Sequence, residues 1–367
     1  MRQSLRQIGQ RFMVGFDGHT ASSEVKRLVR DFAVGHVILF ARNVAEPEQV
    51  AELVRELQAC AREARHDLPL LVAVDQEGGR VARLREPWTV WPPARALGQA
   101  GDALLARRMG AALALELTAC GIRCDFAPVV DVDSNPKNPI IGDRSFGADP
   151  DLVGRMGAAL VAGLQDGGVA ACAKHFPGHG DTDVDSHLAL PVVDHSPSRL
   201  DEVELPPFRR AIEAGVATIM TAHVLVREID AEMPATLSPK IIDGMLRRDL
   251  GFGGVIVSDD LEMKAVAARW SPGESAVLAV RAGCDLLPVC ASADAQVQAI
   301  EGVVRALESE EISWTSMDDS LARLVALKRR FLLPYADPDP RAARQAAGGE
   351  ERLALARAIT DGGGFRA

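Results

Sequence analysis

Eight short apolar runs, separated by stretches of helical periodicity, constrain this chain more than any other feature of its sequence. They are FMVG (12–15), VILF (37–40), LLVAV (70–74), DFAPVV (125–130), VAACA (169–173), ATIMTA (217–222), GVIVS (254–258) and DLLPV (285–289). Between them lie segments such as PEQVAELVRELQACAREA (47–64), ALLARRMGAALALELTACG (103–121), PDLVGRMGAALVAGLQDGG (150–168) and ADAQVQAIEGVVRALESE (293–310). Apolar residues recur there at three and four positions, as helices lying on a sheet require. Wholly apolar strands that alternate with helices are parallel strands covered on both faces. Eight such units in 367 residues predict an α/β fold closed into a single (β/α)8 TIM-type barrel. An open doubly wound sheet is the alternative.

A barrel makes a demand on the chemistry: reactive side chains belong just after the strands, at their carboxyl ends. DQEGGR follows the third run, DVDSNPKNPIIGDRSFG the fourth, KHFPGHGD the fifth, HV the sixth and DDLEM the seventh. An open sheet gathers ligands at the same edge, so this pattern places a site more firmly than it proves closure. After Leu333 the composition shifts to PYADPDPRAARQAAGGEE, and ERLALARAI offers one short helix before a glycine-rich end. The expected organisation is a catalytic barrel over 1–333 and a C-terminal tail over 334–367. That tail is expected to dock loosely or not at all, without forming a second domain.

A formal charge of −10 and the absence of any Lys/Arg run argue against nucleic acid or an anionic membrane as partner. The opening MRQSLRQIGQRFMVGF has no apolar core of signal-peptide type, and 18 apolar residues never run together. The expectation is a soluble cytoplasmic protein with no obligate protein partner. Its six cysteines are scattered and none forms CxxC, so neither a disulfide framework nor a zinc knuckle is predicted.

The segment KHFPGHGDTDVDSH (174–187) concentrates one lysine, three histidines and three aspartates where Pro177, Gly178 and Gly180 forbid a helix. His175 and His179 are four apart, but without a helix that spacing does not make a zinc site. Asp181, Asp183 and Asp185 imitate the start of an EF-hand loop, yet Ser186 stands where glycine is needed and Val192 where the bidentate glutamate belongs. No metal or cofactor is expected. A solvated acidic loop is the plain alternative; acid/base chemistry is the functional one. Asp185 and His187, two apart, share one side of an extended segment, so the carboxylate can orient the imidazole. An imidazole so held can give a proton to a leaving group and later take one from water. Gly178 and Gly180 would let the loop move over a substrate.

GVIVSDDLEM sets Asp259 and Asp260 at the end of a strand, where adjacent side chains face opposite ways. One is expected to react and the other to cap a helix near Leu261, and the residues alone do not say which. VAVDQEGGRVARL carries Asp75, Arg80 and Arg83, and IIGDRSFG carries Arg144. Singly, each arginine reads as a structural ion pair. Grouped near strand ends with Lys174 and His175, Asp75, Arg83 and Arg144 describe a polar pocket suited to a ligand dense in hydroxyls.

Taken in order and spacing, DQEGGRVARL, GDRSFG, KHFPGHGDTDVDSH and GVIVSDDLEM closely resemble the glycoside hydrolase family 3 β-N-acetylhexosaminidases of the bacterial NagZ type, from about residue 8 to about 333. The resemblance implies a single barrel that cleaves β-linked N-acetylglucosamine with retention. It places the nucleophile on Asp259, the acid/base dyad on Asp185 and His187, and sugar contacts on Asp75, Arg83, Arg144, Lys174 and His175. It implies an exo-acting enzyme on 1,6-anhydro-muramyl peptides in peptidoglycan recycling, with a sugar or muropeptide as its partner. A β-N-acetylglucosaminide phosphorylase or a β-glucosidase with the same site is the alternative, since a neutral histidine would not repel phosphate. A metal-dependent hydrolase and a sugar-binding protein with a decayed site are weaker rivals.

Overall fold

The computed structural model describes residues 2–186 and 188–362. Eight parallel strands form the centre: β1 Phe12–Val14, β2 His36–Leu39, β3 Leu71–Val74, β4 Cys124–Asp125, β5 Ala170–Phe176, β6 Thr218–Thr221, β7 Val255–Val257 and β8 Leu287–Val289. Each pairs with its neighbour in chain order, and β1 pairs with β8 through Phe12–Leu287, Met13–Pro288 and Val14–Val289. The last seam, β7 to β8, is joined at Val257–Leu286, where the Ser258 N–H donates to the Leu286 carbonyl at 2.9 Å. The ring closes, and the fold is the (β/α)8 barrel.

Helices cover the ring: α1 Ser23–Asp31, α2 Pro47–Glu63, α3 Ala103–Ala119, α4 Pro150–Asp166, α5 Leu205–Glu213, the π-wound α6 Lys240–Asp249, α7 Pro272–Ala282 and α8 Ala293–Glu308. Several begin at a side-chain cap, such as Asp149 for α4 and Ser271, with Glu274, for α7. Alternate strand residues serve two cores. Phe12, Val14, Val37, Leu39, Val72 and Val74 face the helices, whereas Met13, Ile38, Leu71, Ala73, Cys172 and Val257 fill the barrel. A further helix, Trp314–Leu332, plugs the amino-terminal end with Leu324, Leu327 and Phe331.

Two boundaries differ from the sequence reading. The fourth apolar run is not one continuous strand over 125–130. Regular ladder pairing stops at Asp125 and resumes at Val129 opposite Lys174; in between, the Ala127 and Pro128 carbonyls still accept the Cys172 and Lys174 N–H groups at 2.8 and 3.2 Å, while Pro128 has no N–H of its own to donate. Among the described residues after Leu333 there are two helices, Pro340–Ala346 and Glu350–Thr360, rather than one. Ala343, Leu355, Ala356 and Ile359 are buried in the same core as the barrel helices.

Candidate active site

Strand periodicity delivers the site. Inside the barrel, Leu71 and Ala73 of β3 lead to Asp75, Ala170 and Cys172 of β5 lead to Lys174, and Val255 and Val257 of β7 lead to Asp259. Each acidic or basic residue is the next inward position of its strand, one step beyond the apolar layers. The mouth is a cavity of ≈ 200 Å³ lined by Asp75, Glu77, Arg83, Arg144, Lys174, His175 and Asp259, with Phe40, Ile140, Met220 and Cys290 as apolar walls.

The sequence-predicted sugar contacts therefore meet. The Lys174 ammonium, almost fully buried, donates to Asp75 Oδ1 at 2.9 Å and lies 2.7 Å from Glu77 Oε1. Arg83 reaches Asp75 Oδ2 at 3.3 Å. Arg144 donates to Glu77 through Nε and Nη2, each at 2.8 Å. Burial alone would neutralise Lys174, but Asp75 and Glu77 outweigh it and hold the ammonium charged above its ordinary range. Burial likewise works against Glu77, and the charges of Arg144 and Lys174 overcome it, so this carboxylate sits well below the usual value. Arg80, by contrast, lies outside the cavity lining and bridges to Asp143 at 3.2 Å.

His175 is fixed from behind. Its Nδ1 lies 2.7 Å from Asp131 Oδ2, and Asp131 also accepts the N–H groups of His175 at 3.2 Å and His179 at 2.7 Å. That partner orients the ring so that Nε2 faces the cavity, 3.5 Å from Arg144 Nη2. Asp131 is fully buried; burial would raise its carboxyl, but His175 and His179 outweigh that and keep it below the ordinary range.

The two strand-end aspartates have separate tasks. Asp259 Oδ1 accepts the Asp260 N–H at 2.8 Å and lines the cavity. Burial would lift its pKa, yet His223, His175 and Lys174, together with the Asp260 N–H, hold it below the usual carboxylate value, so it is ionised. Asp260 spends Oδ1 on the N–H groups of Glu262 at 3.1 Å and Cys290 at 3.3 Å. Burial, with the nearby charges of Glu262 and Asp259, pushes it up to about 7.

Asp185 is half-buried on the loop after β5, where its carbonyl accepts the Leu188 and Ala189 N–H groups at 2.8 and 3.0 Å. It is absent from the cavity lining, although its neighbour Ser186 is present there. His187 lies outside the described residues. Gly180 has a packing role in this loop, since a Cβ there would overlap the carbonyl oxygen of Val132.

Sequence reasoning passed over Glu77 and Asp131. Glu77 sits inside the quoted DQEGGR, and the inward series 71, 73, 75 extends to 77. Asp131 stands in DVDSN beside Asp133, with no local cue that separates them.

A closed parallel barrel whose strand ends gather carboxylates and buried cations, with Asp259 the ionised carboxylate that none of those cations bonds directly, is the form of an enzyme active site. The chain belongs to glycosyl hydrolase family 3: residues 3–327 match the family's N-terminal domain. It is 42% identical over 276 residues to a beta-hexosaminidase of Neisseria meningitidis, covering 73% of this chain and 74% of that one. It is 36% identical over 335 residues to beta-hexosaminidase A of Pseudoalteromonas piscicida, covering 85% of this chain but 56% of the relative, so the chain spans little more than half of that protein. Among solved structures, a glycoside hydrolase family 3 beta-N-acetylglucosaminidase from Paenibacillus matches with a TM-score of 0.91 and 44% identity over 98% of this chain and 68% of the other. NagZ from Neisseria gonorrhoeae, in complex with N-trifluoroacetyl-D-glucosamine, matches with a TM-score of 0.79 and 33% identity over 96% and 98% of the two chains. Among the described residues, no helix is long and apolar enough to cross a membrane.

Proposed function

We propose that this chain is a retaining exo-β-N-acetylglucosaminidase, working by double displacement without a metal or cofactor. The observation that carries the reading is Asp259, a carboxylate held ionised at the mouth of the barrel and facing the cavity that Asp75, Arg83, Arg144, Lys174 and His175 line. A carboxylate so placed attacks the anomeric carbon and forms a glycosyl-aspartate as the aglycone leaves. Positive charge that develops on the ring oxygen and anomeric carbon is stabilised by the same carboxylate. The cations and His175 bind the sugar hydroxyls and fix the ring for attack.

The departing oxygen needs a proton, and the second step needs a base for water; Asp185, on the loop after β5, and His187, two positions further along the sequence, fill both roles. Its likeness to a beta-hexosaminidase and to a beta-N-acetylglucosaminidase supports a preference for the acetamido sugar. By resemblance we extend the substrate to 1,6-anhydro-muramyl peptides and the setting to cytoplasmic peptidoglycan recycling.

The test is an assay of aryl β-N-acetylglucosaminide and aryl β-glucoside side by side, with inorganic phosphate varied and the first-formed anomer read by NMR. Phosphate-independent release of β-N-acetylglucosamine is expected. Faster turnover of the glucoside would make the chain a β-glucosidase, a sugar 1-phosphate would make it a phosphorylase, and a first-formed α-anomer would overturn retention.

A further inference from the structure

His179 stands at the base of the loop that carries Asp185, and its own main chain is held from two sides. The N–H donates to Asp131 at 2.7 Å. The carbonyl accepts from Asn138 Nδ2 at 2.8 Å and from the Thr182 hydroxyl at 3.1 Å. Asn138 also donates to the Gly180 carbonyl at 3.0 Å. The imidazole therefore projects from a fixed point. Its Nδ1 lies 2.7 Å from Thr182 Oγ1 and its Nε2 lies 3.2 Å from Ser186 Oγ.

Three features define what this ring can do. First, both nitrogens are occupied by hydroxyls, so no polar atom of the side chain is left for a ligand, although the ring forms part of the cavity wall. Second, burial and the neighbouring His175 push its pKa down to about 4, so the ring is neutral near pH 7, with one donor and one acceptor to match two hydroxyls. Third, the residue it holds is itself an anchor point. Ser186 is buried, its carbonyl accepts the Ala265 N–H at 3.2 Å, and it is joined on either side to Asp185 and His187. Ser186 thus ties the loop both to the end of β5, through His179, and to the segment that follows Asp259, through Ala265.

We infer that His179 is a positioning residue whose ring clamps Ser186 and so sets where the adjoining Asp185 stands relative to the cavity, supporting the acid/base step proposed for Asp185 and His187. The inference rests on the reading of Asp185 and His187 as the acid/base pair. A buried neutral histidine suits the task, because it makes two directional bonds without adding a charge that would disturb the proton it helps to place. Thr182, which also accepts from Asn138 at 3.2 Å, fixes the ring's other edge.

Two variants test this. His179→Leu keeps bulk but removes both bonds, and Ser186→Ala removes only the clamped hydroxyl, so the test survives if the first variant does not fold. kcat/KM, which reports the glycosylation step, is measured on aryl β-N-acetylglucosaminides whose leaving groups run from methoxyphenyl to dinitrophenyl. Affinity for free N-acetylglucosamine is measured alongside. Both variants are expected to lose about 10- to 100-fold on methoxyphenyl, part of the roughly 10² to 10⁴ that general acid catalysis supplies. Dinitrophenyl, which departs unaided, and N-acetylglucosamine affinity should stay close to wild type, and the double variant should be no worse than the poorer single one. Equal losses across all leaving groups, or weakened N-acetylglucosamine binding, would overturn the inference. His187→Ala, assayed in parallel, separates the layers. If it too ignores the leaving group, the acid/base reading fails; if it alone depends on the leaving group, only the role of His179 fails.

Discussion

Glu77 holds Arg144 by two hydrogen bonds of equal length, 2.8 Å to Nε and 2.8 Å to Nη2, and the same carboxylate reaches Lys174 at 2.7 Å. Two of the site's cations thus share one buried anion. A bidentate fork fixes the plane of the guanidinium, and the second cation prevents the carboxylate from turning. Arg144 and Lys174 then present their remaining donors to the cavity without needing to reorganise when the sugar proposed as ligand arrives.

Removing that anion should cost the fold as well as the site. Glu77→Ala leaves two buried cations short of a counter-charge, and breaking a buried pair this way typically destabilises by about 3–5 kcal/mol. Glu77→Gln keeps the shape and one acceptor oxygen, so it should unfold at intermediate denaturant and show a raised KM. Urea titrations of the two variants read the order directly; an alanine variant as stable as wild type would mean the cations do not depend on Glu77.

Asp131 offers a pH test whose sign follows from its lowered pKa. It accepts from His175 Nδ1 and from two backbone N–H groups, and its folded carboxyl titrates below the ordinary aspartate value. A group depressed on folding stabilises fully above its unfolded pKa, about 3.9. That contribution is lost as pH falls through the folded pKa. Asp131→Asn should therefore be less stable than wild type at pH 7, and the gap should narrow as the pH drops below about 4. Because His175 loses its orienting partner, kcat/KM should also fall by about 10- to 100-fold, the equivalent of about 1.5–3 kcal/mol for a hydrogen bond to a charged group.

The barrel was legible because each strand is apolar on both faces and each helix on one, so the periodicity switches eight times along the chain. The same property hid the choice between Asp259 and Asp260. GVIVS reads as a continuous apolar run, and nothing in it distinguishes Val257, which faces the barrel, from Ile256, which faces the helices. Both aspartates border the cavity, and they are told apart by the inward series Val255, Val257, Asp259 together with the backbone N–H groups that occupy Asp260 Oδ1. Glu77 and Asp131 were missed for another reason: they act on Arg144 and His175 across 67 and 44 positions of chain, a distance that local spacing does not encode. The clamp of His179 on Ser186 is local, seven positions long, but nothing in the stretch marks hydroxyls as the partners of this histidine.

Lys328 gives a stability prediction far from the chemistry. It is buried under the barrel, its ammonium donates to the neutral Gln10 Oε1 at 2.9 Å, and burial pushes its pKa down to about 7. Between pH 7 and the ordinary lysine value the unfolded chain carries a proton that the folded one lacks, so this residue's contribution to stability grows with pH there. The slope approaches about 1.4 kcal/mol per pH unit. The buried thiols act in the opposite direction, because folding raises their pKa values, so the comparison must be with a variant. Wild type should gain on Lys328→Met between pH 7 and 10 in urea unfolding, and parallel curves would show that the amine is not neutralised by burial.

Asp259 and Asp260 should respond oppositely to substitution. Asp259 lines the cavity and is ionised, so Asp259→Ala should abolish turnover while leaving the fold intact, since a carboxylate lost from an open mouth creates no core void. A 5-fluoro or 2-deoxy-2-fluoro glycoside should label the wild-type chain at Asp259 within GVIVSDDLEM, and a label on Asp260 or Glu262 would reverse the assignment. Asp260 holds the N–H groups of Glu262 and Cys290, and its carboxyl is pushed up to about 7. A carboxyl raised on folding stabilises below its unfolded pKa, and that contribution is lost as pH climbs through the folded value. Asp260→Asn keeps an acceptor oxygen and carries no charge at any pH. It should retain most activity and become more stable than wild type above pH 7, whereas Asp259→Asn, with the same change of shape and charge one position earlier, should be inactive. Thermal melts at pH 5 and pH 8 and a turnover assay on each variant suffice: an inactive Asp260→Asn beside an active Asp259→Asn would place the nucleophile on Asp260, which also borders the cavity but spends Oδ1 on two backbone N–H groups.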